Sequence, residues 1–268
     1  MDIMIGIPAR YGSTRFPGKP LAMIGEKTMI AHVVDRANEA AEALNALPDV
    51  HCSVFVTTDD DRIITHVRDT LNVDVVKTPD TCPTGSDRVL AALRQMDDWP
   101  DFLINLQGDA PFTSAHILSA IMHAFIEDPT LNVVTPVHQL GWEQLDDLRA
   151  HKVKAPFSGT TAVMDESGKA LWFSKSILPA IRAEQALRVS QELSPVYQHI
   201  GVYGYRPDIL EKFCELPQSP YEMLEGLEQL RFLENGIDVQ TVRVEVDQNG
   251  VQTGIDTPED LERAVRSL

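Results

Sequence analysis

The chain has 268 residues, 43% of them hydrophobic, and a formal net charge of -17 from 40 acidic and 23 basic side chains. That size suits one large α/β domain, or a domain with a small appendage, that buries about three quarters of its unfolded surface without staples. The negative field opposes long-range attraction to nucleic acid or to an anionic membrane, so neither is expected as a partner.

The chain opens on an apolar run, Ile3 to Ile7, that reads as a buried strand stopped at Pro8. Met29 to Leu44 carries apolar residues at helical spacing. Cys52 to Val56 is a short strand, and Thr57-Thr-Asp-Asp-Asp61 caps a helix expected from Arg62 to Leu71. Val73 to Val76 is extended, Thr84-Gly-Ser-Asp87 starts a helix, and Asp101 to Leu106 is another buried strand, ending at Gln107-Gly-Asp109. Ser114 to Ile126 is helical and Asn132 to Val137 extended. This alternation predicts a mostly parallel sheet flanked by helices.

The second half differs. Gly159 to Met164 and Ala170 to Ser174 read as a hairpin around Asp165-Glu-Ser-Gly168. Residues 181–193 are polar with scattered apolar positions and read as a mobile or surface segment, and Tyr197 to Tyr205 as one aromatic extended stretch. A long helix is expected from Tyr221 to Asn235, ended by Gly236, then a strand from Val239 to Val246 and a last helix with Thr257 as cap and Pro258 at its first position. The whole, residues 1–268, is expected to be a single α/β domain, with residues of about 151–205 an antiparallel insertion. The three cysteines, Cys52, Cys82 and Cys214, have neither disulfide nor zinc spacing and fit a reducing cytosol. No leader pattern and no apolar run of membrane-spanning length is present in the sequence given, so a cytoplasmic location is expected.

In open α/β sheets ligands sit beyond the carboxyl ends of the strands. Three polar groups fall there. The first is the loop Pro8-Ala-Arg-Tyr-Gly-Ser-Thr-Arg-Phe-Pro-Gly-Lys19, with two glycines and the cations Arg10, Arg15 and Lys19. It suits phosphate, because glycines let backbone N–H groups approach an anion. It is not a Walker A loop: five residues separate Gly12 from Gly18, and Pro20 follows the lysine. The second group is Thr84-Gly-Ser-Asp-Arg88 and the third Gln107-Gly-Asp109. Singly each reads as a cap or a turn; jointly they point to a site. Asp256 alone reads as a helix-start acid, yet with Asp109 it could offer two carboxylates to Mg²⁺. His199, Tyr203 and Tyr205 are spaced to share a strand face, for packing, an interface or a ligand. Glu225, Glu228, Gln229 and Arg231 read as a solvated helix face.

These segments, in order, resemble the 3-deoxy-manno-octulosonate (Kdo) cytidylyltransferases. The opening loop, Val56-Thr-Thr-Asp-Asp-Asp61, Thr84 to Arg88, Asn105 to Asp109, Ala170 to Ser174, His199 to Tyr205, Leu227 to Arg231 and Gly254 to Leu261 all take part. The resemblance implies a nucleotide-diphospho-sugar transferase fold, a homodimer, and the reaction CTP plus Kdo to CMP-Kdo plus diphosphate in lipopolysaccharide or capsule synthesis. It places Arg10 and Lys19 on the CTP phosphates as the catalytic cations, and Pro8, Ala9, Ser13, Arg15, Gly85 and Ser86 around the nucleotide. It gives Arg88, Gln107, His199, Tyr203, Glu228 and Gln229 to the sugar acid, and Asp109 and Asp256 to Mg²⁺.

The chain departs from the pattern at Ala110, over His151 to Val163, and at Lys175, where the family usually has arginine. An ammonium and a guanidinium fork are not equivalent at a carboxylate. These departures bear on the sugar and motivate a second reading, a cytidylyltransferase for a sialic-acid-like or amino analogue of Kdo. A third, of another class, is a nucleotide-sugar binding protein without catalysis.

Overall fold

The computed structural model describes residues 1–12, 16–246, 254–255 and 257–266. In chain order the strands are β1 (Asp2–Pro8), β2 (Met23–Ile24), β3 (Lys27–Thr28), β4 (His51–Thr58), β5 (Asp74–Lys77), β6 (Phe102–Asn105), β7 (Val133–Gly141), β8 (Thr161–Met164), β9 (Ala170–Ser174), β10 (Leu193–His199), β11 (Tyr203–Tyr205) and β12 (Val239–Arg243). The helices are α1 (Met29–Asn45), α2 (Asp61–His66), α3 (Gly85–Leu93), α4 (Ala115–Glu127), α5 (Trp142–Lys154), α6 (Glu184–Ser190), α7 (Pro207–Glu215), α8 (Pro220–Glu225), α9 (Leu230–Glu234) and α10 (Pro258–Arg266). Two compact units result, one of Met1–His123, Val202–Cys214 and Thr253–Leu268, the other of Ala124–Gly201 and Glu215–Gln252.

The first unit holds the strand order β5-β4-β1-β6-β11. The pairs β5/β4, β4/β1 and β1/β6 are parallel, and β11 runs antiparallel to β6. Registers Pro8↔Thr57 and Gly6↔Asn105 bring the carboxyl ends of three strands to one edge. Ile3, Ile5, Ile7, Val56 and Phe102 to Ile104 are buried, as parallel strands covered on both faces require. Gly6 is needed in this packing, since a Cβ there would stand 2.8 Å from the Phe55 ring. Helix α1 buries Ile30, Val33, Val34 and Ala37 and is capped by Thr28, whose hydroxyl accepts from the Ala31 N–H. Asp60 caps α2, which ends at His66 and continues as one wider π turn over Val67–Leu71, where a single helix had been expected. Thr257 and Asp260 bond reciprocally at the start of α10.

The second unit is built on β7, which pairs with β12 in parallel and with β10 antiparallel; β10, β8 and β9 continue as an antiparallel meander. The expected hairpin is β8 and β9, with Gly168 at φ 84° in its turn and Asp165 accepting from the Ser167 N–H. Helix α5 was not anticipated. It is polar almost all round, and only Trp142, Leu145 and Leu148 reach a small core with Leu140 and Val196. The polar stretch after residue 181 forms α6, tied to α5 by Arg149, which bonds Glu184, and by Arg188, which bonds Asp146.

Two expectations are corrected. Tyr197 to Tyr205 is not one strand: β10 ends at His199, in the second unit, and β11 begins at Tyr203, in the first, so His199 and Tyr203 share no strand face. The helix expected over Tyr221–Asn235 is broken. Gly226 takes φ 65° and closes α8, Leu227–Gln229 turn, and α9 follows. The break is braced by a buried ion pair, Arg231 Nε and Nη2 donating to Glu222 at 2.8 and 2.5 Å. Glu222 also accepts the Ser219 N–H at 3.0 Å, closing a capping box. Replacing one partner of a buried pair strands the other charge, so Glu222→Gln should cost about 3–5 kcal/mol. Calorimetric unfolding of that variant, beside Glu222→Gln/Arg231→Met, should show the double variant regaining much of the loss.

Candidate active site

The site begins at the strand ends of the first unit. The Ala9 N–H donates to the Thr57 carbonyl at 2.9 Å, and the Gly108 N–H to the Pro8 carbonyl at 3.2 Å. A Cβ at Gly108 would lie 2.8 Å from that same carbonyl oxygen. A Cβ at Gly85 would meet the Gln107 side chain at 2.8 Å and Pro8 Cγ at 3.2 Å. At Gly108 only glycine permits the approach, because the facing atom is backbone. Beneath them runs a buried relay, in which Gln107 Nε2 donates to Asn105 Oδ1 at 3.1 Å and Asn105 Nδ2 to Ser86 Oγ at 3.2 Å. Pro8, Ala9, Gly85, Ser86 and Gln107, all predicted site residues, are thus brought together.

Lys19 follows Gly18, which holds φ 73° and packs on the Tyr11 ring. The Gly18 N–H donates to the Tyr11 carbonyl at 2.8 Å and closes the loop at its neck. Arg62 stacks on Tyr11, 3.3 Å from the ring centroid, and pairs with Asp60. The Lys19 ammonium ion-pairs with Asp109 Oδ2 and donates to the Ile255 carbonyl at 3.3 Å. The Ile255 N–H in turn donates to the Asp109 carbonyl at 2.8 Å, and Gly254 packs on Asp109. The 254–255 segment therefore lies directly on the predicted metal acid. Asp256, Ser13 and Arg15 lie outside the described residues. Arg10 is exposed at the mouth of its loop. Arg88 is buried instead, donating to Thr78 Oγ1 at 2.9 Å with Asp59 Oδ1 3.1 Å away. Tyr203 stacks on Tyr205, centroids 5.9 Å apart.

In the second unit His199 is buried, with Nε2 2.8 Å from Thr135 Oγ1 and its ring edge-on to Phe173. Burial, with the nearby Lys175 cation adding to it, pushes its pKa down to about 3, so the imidazole is neutral. Glu228 is exposed on the turn between α8 and α9, and Gln229 is buried beside it with its Nε2 unpartnered among the described residues. Glu225 accepts from Ser174 Oγ and from the Lys175 N–H, both at 2.8 Å.

The sequence profile of the cytidylyltransferase family matches residues 4–242. A 3-deoxy-manno-octulosonate cytidylyltransferase of Maricaulis maris is 40% identical over 98% of this chain and 95% of its own length. One from Syntrophotalea carbinolica is also 40% identical, over 100% and 99%. A solved CMP:2-keto-3-deoxy-manno-octonic acid synthetase, complexed with CTP, superposes with a TM-score of 0.82 at 32% identity, covering 100% of this chain and 98% of that one. This chain belongs to the 3-deoxy-manno-octulosonate cytidylyltransferase family. A 4-diphosphocytidyl-2C-methyl-D-erythritol synthase from Anaerococcus prevotii, 14% identical, shares the fold with a TM-score of 0.58 over 99% of this chain and 97% of its own.

Against that family background, sequence reasoning passed over Asp59 and Arg62. Both sit in a run that reads as a helix cap, and only Asp60 caps; Asp59 faces Arg88 and Arg62 faces Tyr11. The pairing signal is long-range and leaves no local trace. The state of His199 carries a test. A histidine of depressed pKa removes stability as pH falls from its unfolded value of about 6.5 towards about 3, because only the unfolded chain takes up the proton there. His199→Gln should flatten that part of the pH–stability curve, and the wild-type ring should show no NMR titration between about pH 5 and 8.

Proposed function

We propose that this chain is a nucleotidyltransferase that activates Kdo, converting CTP and 3-deoxy-D-manno-octulosonate to CMP-Kdo and diphosphate. Relatives named for that activity match it end to end. The observation that carries the reading is the convergence on Asp109 of the Gly18–Lys19 turn, the Gln107–Gly108 turn and the 254–255 segment.

The anomeric hydroxyl of the sugar attacks the α-phosphorus of CTP. A new P–O bond forms, the bond to the bridging oxygen of the β-phosphate breaks, and the hydroxyl proton is lost. Positioning and charge neutralisation can carry such a transfer without a covalent enzyme intermediate. Lys19 and Arg10 neutralise charge gathering on the departing diphosphate. The Pro8–Ala9 backbone with Gly85 and Ser86 seats the nucleoside. Arg88, Gln107, Tyr203, His199, Glu228 and Gln229 are assigned to the sugar acid.

The donor chemistry suits Mg²⁺. Asp109 is a partly exposed carboxylate already drawing a cation to itself, and Mg²⁺ takes one or two carboxylates and completes its shell with phosphate and water. Among the described residues no group of three or more His, Cys, Asp or Glu could hold a metal, which that sparse shell does not require. Asp109, with Asp256, would hold the ion, which when bound polarises the α-phosphate. The proposal extends to a cytoplasmic homodimer serving lipopolysaccharide or capsule synthesis. Among the described residues no helix is long and apolar enough to cross a membrane.

Diphosphate release with Mg²⁺ and Kdo should require CTP and fail with ATP, GTP and UTP; equal turnover on any of these would overturn the nucleotide assignment. Asp109→Ala should abolish release while the thermal midpoint stays near that of the wild type. Lys19→Ala should lower kcat by about 10² or more, and unchanged kinetics would remove it from the mechanism.

A further inference from the structure

The opening loop is pinned at its neck. The Gly18 N–H donates to the Tyr11 carbonyl at 2.8 Å, and Gly18 lies so close to the phenol that a Cβ would stand 2.9 Å from its Cζ. Lys19 is the next residue, and its ammonium reaches Asp109 from there. It begins a short turn in which the Leu21 N–H returns to the Gly18 carbonyl at 2.9 Å. The Lys19 backbone is thus tied to the Tyr11 ring through a single glycine.

The ring has a second neighbour from another turn of the same sheet edge. Arg62, at the second position of α2, lays its guanidinium over it, with Cζ 3.3 Å from the centroid. Asp60 sets the plane of that guanidinium: Nε donates to Oδ1 at 2.9 Å and Nη2 to Oδ2 at 2.6 Å. The fork pushes the Asp60 pKa down and the Arg62 pKa up, so both groups stay charged around neutral pH. The Arg62 side chain is 60% exposed, and an ion pair this open contributes little to stability. The cap of α2 does not need it either, because Asp60 accepts the Arg62 backbone N–H, which any residue but proline supplies. A guanidinium held flat on one ring by a carboxylate, with little gain in stability, serves to fix that ring.

We propose that Arg62 is a positioning residue for the CTP phosphates. Through Tyr11 and Gly18 it holds the neck of the loop, and so the origin of the Lys19 side chain, in place before nucleotide arrives. Resting on the activity proposed above, with Lys19 at the triphosphate, this adds a residue that touches no substrate atom. Every group involved lies in the first unit. A loop ordered in advance forfeits less conformational freedom when its ligand binds.

Calorimetric binding of CTP and of CMP to the full chain, both with Mg²⁺, tests this, since CMP lacks the phosphates that Lys19 would meet. An exposed cation–π contact corresponds to about two- to fivefold in affinity. Arg62→Ala should weaken CTP by about that factor and leave CMP binding and the thermal midpoint unchanged. Tyr11→Leu should weaken CTP at least as much, and adding Arg62→Ala to it should cost nothing further, because the two act as one unit. Arg62→Lys should not restore the affinity, since an ammonium cannot lie flat on the ring while bonding both Asp60 oxygens. Should Tyr11→Leu fail to fold, the two Arg62 variants decide alone. Equal losses for CMP and CTP mark a merely structural role and overturn the proposal. Additive losses in the double variant mark direct contact of Arg62 with phosphate, and full recovery with lysine marks charge alone; either result overturns it too. Wild-type binding of CMP as tight as that of CTP removes the loop from the phosphates, and the role of Arg62 falls with that assignment.

Discussion

The close approach of three turns at the carboxyl edge of the first unit's sheet is the constraint on which the site depends. Gly108 meets the Pro8 carbonyl with no room for a Cβ, and Gly85 packs on the Gln107 and Pro8 side chains. Parallel registers bring β1, β4 and β6 to the same level, and the Gln107–Asn105–Ser86 relay fixes the turns against each other. A buried relay of this kind is costly if any member lacks its partner, so it favours one arrangement of the turns over looser ones. Asp109 follows Gly108 immediately, and its orientation is set by this packing before any ligand contributes.

The two units carry different electrostatics. In the first, the cation of Lys19 and the acid of Asp109 satisfy one another. In the second, two cations lie near a single engaged acid, within a chain whose net charge is -17. The global negative field discourages polyanions, and its screening over short distances leaves local cations their own character. That combination suits an enzyme that handles small anionic metabolites without collecting nucleic acid.

Much of the first unit was legible because its signals are local. Short apolar runs marked β1, β4 and β6, and the cap signals in Thr57–Asp61, at Thr84 and at Thr257 marked helix starts. What escaped depends on distance along the chain. Helix α5 has too narrow an apolar stripe to announce itself, and its burial comes from Val196 and Leu140. The break at Gly226 competes with a stretch of good helix formers on both sides, and the Glu222–Arg231 pair that makes the break stable is a tertiary contact. The resemblance gives Arg88 to the sugar, but its contacts with Asp59 and Thr78 join segments distant in the chain and leave no local signal. Lys175 was visible as a departure from a pattern, but its setting between Thr160, Lys152 and Glu225 could be read only from packing.

The Lys19–Asp109 pair has a thermodynamic consequence of its own. Because each of these two charges already has a complement, the pair is internally neutralised, and on the proposed function loading the site would be an exchange of partners. A lone anion arriving at Lys19 must displace a carboxylate, and a lone metal ion arriving at Asp109 must displace an ammonium. A metal–triphosphate complex supplies both replacements in one event, so each displaced charge is rematched at once. The pair would thus act as a two-key lock, disfavouring free phosphate and free divalent ion separately while admitting them together.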